Sequence, residues 1–569
     1  MPSEKNKNVN RLLLALLAVL AILFSVSVGK HLSYPLLWND EGDTAMFATR
    51  VLEYGYPKVH DGKNVLYVHP VDMRLGVNEH DMFTADPLLC YYWAVPGAWL
   101  AQKAEDIYAR TFLFRAPFAL TGLVGMIVMA ALAGGLFEKR RPGKLLFYSL
   151  FALFALLSVS LALHLREARY YSPVILLSAI VLYFFINHRL LGRLSFGLYA
   201  AVSVAALFLI YNAFYPTYFV LIGFIGLCES LALVKRMWPL KGSGKAFTLP
   251  GIRDLKPFIP IFASVLTVVP PIVFFRTMEV VSVASTDNFG PGQYIRNIAN
   301  IIHYFAQYEF LYLALFMKGV LACLIVRDRL SGAGPFGAAA EKVRVSNLLT
   351  LFFIVHVLVT AVNPLIMSTH YFIVLLPVLP IILLLDAFSI FALLGRGAEA
   401  ARKRRQAVFV SAAAALLFIN GLNKMKDLSG HIYELTHQYS GPVDAIVSYV
   451  KENYENTEGL VIATNYEEAS LMYYLGSKVV VGYRFNTIRE DMKEVPDVII
   501  HRRSWAGFPY VDAFNYFMQK AEYEKVALQV RDHPVNNIPD LHYEGIRHLY
   551  RTPIAATESE RLKVYVRKE

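Results

Sequence analysis

Charge is scarce in this chain. Of 569 residues only 17% are Asp, Glu, Lys or Arg, against about 25% in soluble proteins. Hydrophobic residues make up 56% and mean hydropathy is +0.43, which excludes an ordinary soluble globule. Cysteine is scarcer still. Cys90, Cys228 and Cys323 are too few for a disulfide framework, and the last two lie in apolar runs as small hydrophobes. Glycine-rich phosphate loops and zinc-finger spacings are absent. The net charge of +11 is therefore assigned to cytoplasmic loops of a membrane protein, not to nucleic-acid binding. No N-x-S/T sequon occurs, which favours a bacterial or archaeal plasma membrane over a glycosylating lumen.

What is abundant is long apolar sequence. A span needs about 20 apolar residues, and runs near 12–29, 116–136, 145–163, 171–187, 194–211, 217–234, 258–276, 308–326, 346–362, 371–394 and 406–422 predict eleven spans. Lys5, Lys7 and Arg11 before the first run place the N-terminus inside. A cleaved signal peptide is the competing reading, but the run is long and no A-x-A site follows. Residues 87–100 (PLLCYYWAVPGAWL) are short, aromatic and interrupted by Pro96 and Gly97, so they predict an interfacial helix. Leaving them out puts the basic clusters at 139–141, 188–193, 235–256, 327–344 and 396–405 all inside, as the positive-inside rule requires.

The expected fold is thus a polytopic α-helical membrane protein with a C-terminal soluble α/β domain. Residues 1–422 form the transmembrane part, with one large outer loop at 30–115, and 423–569 form a domain on the outer side. In that tail PVDAIVSYVKENY, GLVIAT, YEEASLMYYLG, KVVVGY, PDVIIH and VALQV alternate helical patterns with apolar runs. They predict a mainly parallel sheet with its own core.

Chemistry gathers in the outer loop. WNDEGDTAMFATR sets Asp40, Glu41 and Asp43 just past the first span. A helix is predicted from about Asp40 to Tyr54, stopped by Gly55 and Pro57. Two readings stay open. Asn39 or Asp40 caps the helix, with Asp43 completing a capping box. Alternatively Asp40 serves as a general base at a membrane face, with Glu41, His60, His69, Glu79, His80, Asp81 and Asp86 for company. Glu79 and His80 are candidate ligands for a divalent metal cation. Neighbours in sequence rarely all bind one ion, so a solvated loop competes.

A second cluster, HLREARYYS, carries Arg166, Arg169 and Tyr170. Helical spacing puts both arginines on one face. On the outer side, a guanidinium pair suits a phosphate at headgroup depth; snorkelling cations or pairing with Glu167 is the plainer explanation. His370 and Tyr371 head a late span on the same side and could meet the same phosphate. The segment 285–294 is also outside and receives no role.

These motifs resemble the GT-C superfamily of integral-membrane glycosyltransferases, in particular protein O-mannosyltransferases and lipid A aminoarabinose transferases. The resemblance covers 1–422. It rests on the Asp-Glu pair opening a juxtamembrane helix (NDEGDTAMFATRVLEYGYP), the ADPLLCYYW segment, REARYYS and HYFIVLLP. It implies a sugar donor on a polyprenyl phosphate, an inverting reaction, and an acceptor that is a glycolipid, polysaccharide or protein. It implies Asp40 as base, Glu41 as its orienting neighbour, and Arg166 and Arg169 on the donor phosphate. This chain departs from the pattern with His370-Tyr371, where relatives often carry Arg-Tyr, and with Asp86 before Pro87. The rival functions are a transporter or flippase, for which Lys318 and His356 sit mid-span, and a non-catalytic envelope assembly factor.

Overall fold

The computed structural model describes residues 4–66, 76–137, 142–237, 251–279, 290–330, 339–362, 369–395, 399–437, 441–481, 488–502, 511–532 and 557–568. His69 and residues 285–289 and 363–368 lie outside the described residues. The helices of the first part are α1 (Glu4–Gly29), α2 (Asn39–Tyr54), α3 (Leu89–Ala101), α4 (Ile107–Gly134), α5 (Pro142–Leu157), α6 (Val159–Arg166), α7 (Tyr171–Arg189), α8 (Phe196–Met237), α9 (Ile259–Phe274), α10 (Pro291–Tyr308), α11 (Leu311–Leu330), α12 (Ala339–Thr360), α13 (Leu375–Leu394) and α14 (Glu399–Thr436).

This is a multi-pass membrane protein. Among the described residues eight helices are long and apolar enough to cross a bilayer, or ten spans if the bent pairs α5–α6 (78°) and α10–α11 (90°) each count once. The 42-residue α8 is broken at Phe214 (φ −162, ψ 93), two residues before Pro216. Its length is roughly twice the hydrocarbon thickness, and a proline both removes an N–H and crowds the preceding turn. Read as two spans meeting at that break, it restores the eleven predicted from the apolar runs.

Bending a helix inside a bilayer frees carbonyls that lipid cannot satisfy. α14 meets this need. Lys424 Nζ donates to Leu157 O (2.9 Å) at the α5–α6 break and lies 3.3 Å from Glu309 at the α10–α11 break, and Asn420 donates to Ala306 O (3.1 Å). α14 continues past residue 422, where the membrane part was expected to end, to Thr436, held there by His431 on Ser27 Oγ (2.9 Å) and Glu434 on Arg166.

The connections sort into two ends. At one, Arg193 donates to Gly135 O (3.2 Å) and faces Glu341 (3.8 Å), Arg236 faces Asp254 (3.6 Å), and Lys342 lies over the Phe137 ring. The start of α2, the α6–α7 connection, the short helix Thr369–Phe372 and the C-terminal part meet at the other. α3 packs between α2 and α4, so close that a Cβ on Gly97 would stand 2.6 Å from Phe114 O.

The C-terminal part holds α15 (Pro442–Asn453), β1 (Val461–Thr464), α16 (Glu468–Leu475), β2 (Lys478–Val481), α17 (Ile488–Asp491), β3 (Val498–Ile500), α18 (Val511–Lys520), β4 (Tyr523–Arg531) and β5 (Arg561–Arg567). Strand order is β2-β1-β3-β5-β4. β1 pairs in parallel with β2 and β3, while β5 runs antiparallel to β3 and β4. The sheet is therefore mixed, not mainly parallel. Its parallel strands are short apolar runs, as two-sided burial demands, whereas RLKVYVR in β5 alternates. One face (Ala463, Val480, Ile499) packs on Phe514 and Phe517. The other (Ile462, Val479, Val498, Val564) shares a hydrophobic core with Leu36, Ala45, Phe47 and Phe114 of the loop and α4. The two regions are welded through that core.

Candidate active site

Trp38 precedes α2 in extended conformation and no side chain caps the helix. Neither Asn39 nor Asp40 is the predicted cap; Asp40 and Glu41 lie in the first turn, where the helix dipole favours negative charge. The predicted stop is present: Gly55 takes φ +83 and its N–H bonds Val51 O.

Asp40 and Glu41 face different surroundings. Glu41 is fully buried. It receives both arms of Arg115 (Nε to Oε1 2.8 Å, Nη2 to Oε2 2.5 Å) and the N–H of Ala168 (2.8 Å). Arg115 also donates to Leu32 O (3.2 Å) and Pro35 O (2.7 Å). Glu41 thus ties α2 to α4 and to the α6–α7 connection. The side chain of Asp40 is 32% exposed, with Oδ2 3.4 Å from Arg169 Nη2. Arg169 Nη1 further donates to Asp40 O and Thr44 Oγ1, both at 3.3 Å.

The two arginines part company. α6 ends at Arg166 and Glu167 is extended (ψ 139), so the helical face predicted to carry both does not exist. Arg166 turns to α14, where it is ion-paired with the buried Glu434. Arg169 turns to Asp40. Burial opposes the Arg169 charge, but Asp40 with Tyr171, Cys90 and Tyr91 outweighs it and raises its pKa well above the ordinary value.

Aromatic rings wall this pair. Tyr170 stacks on Phe214 at 4.4 Å, next to the break in α8, and lies 5.4 Å from the Arg169 guanidinium. Tyr171 stacks on His370 at 5.1 Å, and His370 lies 4.3 Å from Tyr371. The short helix Thr369–Phe372 is held from below by His164, whose Nε2 pairs with Thr369 Oγ1 (2.7 Å) and whose Nδ1 lies 3.2 Å from Glu167 Oε1. Burial, then His164 and Arg169, push the His370 pKa well below its ordinary value, so the ring is neutral at pH 7. Among the described residues Arg169 Nε and His370 Nδ1 are both buried without a hydrogen-bond partner. Buried polar atoms left unsatisfied are costly unless something bonds them, and Arg166 Nη1 and Glu167 Oε2 in the same connection are in the same state.

More acid surrounds the pair than the site prediction included. Burial, Glu468 and Asp40 push Asp43 well above the usual carboxylate range, against Arg169. Burial also raises Asp86, with Arg169 opposing. Asp86 faces a cleft with Thr84, Tyr211, Asn212, Tyr215 and Thr277, which runs along α8 at its break. Glu468 comes from α16 of the C-terminal part. That helix packs so tightly on α2 that a Cβ on Gly42 would lie 2.3 Å from Ser470 Oγ and 2.6 Å from its backbone nitrogen. Tyr474 OH accepts from Leu37 N (3.0 Å) and bonds Thr111 Oγ1 (2.6 Å). Asp43 and Asp86 were visible in the outer loop, whereas nothing local marked Glu468 or Arg115.

Glu79 and His80 are exposed and 3.6 Å apart, and among the described residues no group of three or more His, Cys, Asp or Glu could hold a metal. Consecutive residues on a turn, with Asp81 at φ 60, Glu79 and His80 project into solvent with no third ligand among the described residues.

No family model matches the sequence, and no curated protein matches it. Among solved structures the chain is similar to ArnT from Cupriavidus metallidurans in the apo state, at 13% identity and TM-score 0.48, over 97% of each chain. It is also similar to the oligosaccharyltransferase of Archaeoglobus fulgidus. The form tethered to an acceptor peptide with an NVT sequon aligns at 11% identity and TM-score 0.46, over 90% of this chain and 69% of that one. The form with Zn and sulfate aligns at 11% and 0.45, over 92% and 72%.

Proposed function

We propose that this protein is a polyprenyl-phosphate-sugar-dependent glycosyltransferase. It transfers the sugar, with inversion, to an acceptor hydroxyl on the outer face of a bacterial or archaeal plasma membrane. The observation that carries this reading is the partly exposed Asp40 carboxylate 3.4 Å from Arg169, at the end of the helix stack opposite the basic loops. The positive-inside rule then assigns the Asp40 end to the outside, together with the C-terminal part.

In this reading the lipid tail stays in the bilayer and the donor phosphate reaches Arg169. The unpartnered Arg169 Nε and the neutral His370 imidazole supply further contacts, with Tyr170 and Tyr371 as walls. Asp40 Oδ accepts the proton of the acceptor hydroxyl. The acceptor oxygen bonds the anomeric carbon as the bond from that carbon to phosphate oxygen breaks, and the electron pair leaves on the phosphate. A positioned base contributes roughly 10²–10⁴ in rate, and a fixed guanidinium replaces a general acid by meeting the leaving charge. Glu41 is a positioning residue, and Arg166 is a strut to α14. Glu79 and His80 take no part.

Transport has less support. Lys318 is satisfied by Ser346 Oγ (2.7 Å) and Asp386 (2.9 Å) and reads as a helix-to-helix tie; His356 Nε2 meets Tyr371 O (3.4 Å), while its Nδ1 is buried without a partner among the described residues. The test is to incubate purified protein with polyprenyl-phosphate sugars and envelope acceptors. Release of polyprenyl phosphate with a new glycosidic bond of opposite anomeric configuration is expected. A retained configuration, or no release from any such donor, would overturn the assignment.

A further inference from the structure

At the basic end, far from Asp40, a groove of about 830 Å³ opens between α11, α13 and α14. This falls within the roughly 300–1,000 Å³ typical of small-ligand sites. Its floor is apolar and braced by rings: Phe316 stacks on Phe409 at 6.3 Å, and Phe391 meets Phe409 edge-on at 5.3 Å. Val320, Val408 and Ala412 extend it along α14, and Val408 is 65% exposed, so the groove is open to the bilayer. Arg404 and Arg405 stand at one end of it. Their neighbour Lys403 is paired with Glu399 at 2.8 Å and does not line the groove. An apolar trough in a membrane with two guanidinium groups at one end matches one kind of occupant, an acyl chain ending in an anionic head.

We infer that this groove is a binding site for an anionic phospholipid of the leaflet at the basic end, its phosphate held by Arg404 and Arg405 and one acyl chain laid along Phe316, Val320, Val408 and Ala412. The site is independent of the proposed transfer reaction. Basic residues near a membrane are attracted to anionic lipid by about fivefold each, so two arginines lining the groove give a preference on the order of tenfold or more. A general polybasic effect would depend on charge alone, whereas this site depends on which cations line the groove.

The experiment is native mass spectrometry of the full chain released from vesicles of equal phosphatidylglycerol and phosphatidylcholine. Wild type is expected to retain phosphatidylglycerol by roughly tenfold over phosphatidylcholine. R404Q/R405Q abolishes that preference, while R402Q/K403Q, with the same loss of charge, keeps it. Ala412→Phe, which fills the trough and leaves both arginines, reduces retained lipid of either kind. Equal retention of the two lipids by wild type would overturn the site, as would equal effects of the two double variants. Displacement of the lipid by millimolar inorganic phosphate would overturn the lipid as ligand in favour of a free anion.

Discussion

The Glu41→Gln variant probes how the site is built. Glu41 accepts three hydrogen bonds in a fully buried setting, two from Arg115 and one from Ala168 N. Glutamine keeps one acceptor oxygen but turns an NH₂ toward a guanidinium and leaves the Arg115 charge uncompensated. Removing one member of a buried ion pair costs roughly 3–5 kcal/mol; the retained acceptor places the expected loss near about 3 kcal/mol. Arg115→Met should cost a similar amount. The double variant should lose less than the sum, with a coupling of at least about 1.5 kcal/mol, because it leaves no orphaned charge. Denaturant unfolding in detergent micelles measures all three. Transfer activity should fall with Glu41→Gln even at temperatures where the protein stays folded, since Asp40 and Arg169 are brought together across this tie. A Glu41→Gln variant within about 0.5 kcal/mol of wild type, or strictly additive losses, would refute the assignment of Glu41 as the tie.

Other residues give sharper contrasts. Arg169→Lys keeps the charge but loses the fork, so donor KM should rise by about tenfold or more, whereas Arg166→Ala should leave donor KM unchanged and lower stability by about 3 kcal/mol; initial-rate kinetics and melting curves separate the two. Gly42→Ala forces a Cβ into Ser470 and should cost roughly 1–3 kcal/mol, with Ser470→Ala restoring only part of it because the backbone nitrogen remains; thermal unfolding of the pair checks this. Asp444, under the Leu36 N–H, is pushed by burial from 3.8 to about 6. The folded state therefore holds a proton that the unfolded state releases, so this group's stabilisation is full below about pH 4 and lost as pH rises through about 6. Relative to Asp444→Asn, wild type should lose roughly 3 kcal/mol across that window, and parallel stability curves would contradict it.

Much of the membrane part was legible because apolar runs and basic loops obey strong rules. The break in α8 was readable as two runs around Pro216. The pairing of Asp40 with Arg169 was foreshadowed by two motifs on the same side of the membrane. The separation of Arg166 from Arg169 was not, because helical spacing says nothing of where a helix ends, and Ser158 and Glu167 start and stop α6 within eight residues. Glu41 was readable as ionisable but not as buried, since its partner lies 74 residues away. Glu468 and Ser470 belong to an unremarkable helix that matters only through its seat on Gly42. The mixed sheet was missed because RLKVYVR, though alternating, carries Arg561, Lys563 and Arg567 and reads as surface.

The central claim is that the Asp40 carboxylate takes the acceptor proton beside a phosphate held by Arg169. The most direct measurement compares turnover and donor binding of Asp40→Asn with wild type in proteoliposomes. Turnover should fall by at least about 10², with donor binding kept or tightened because Arg169 loses its competing carboxylate. Turnover within about threefold of wild type, or loss of donor binding in step with turnover, would contradict the account.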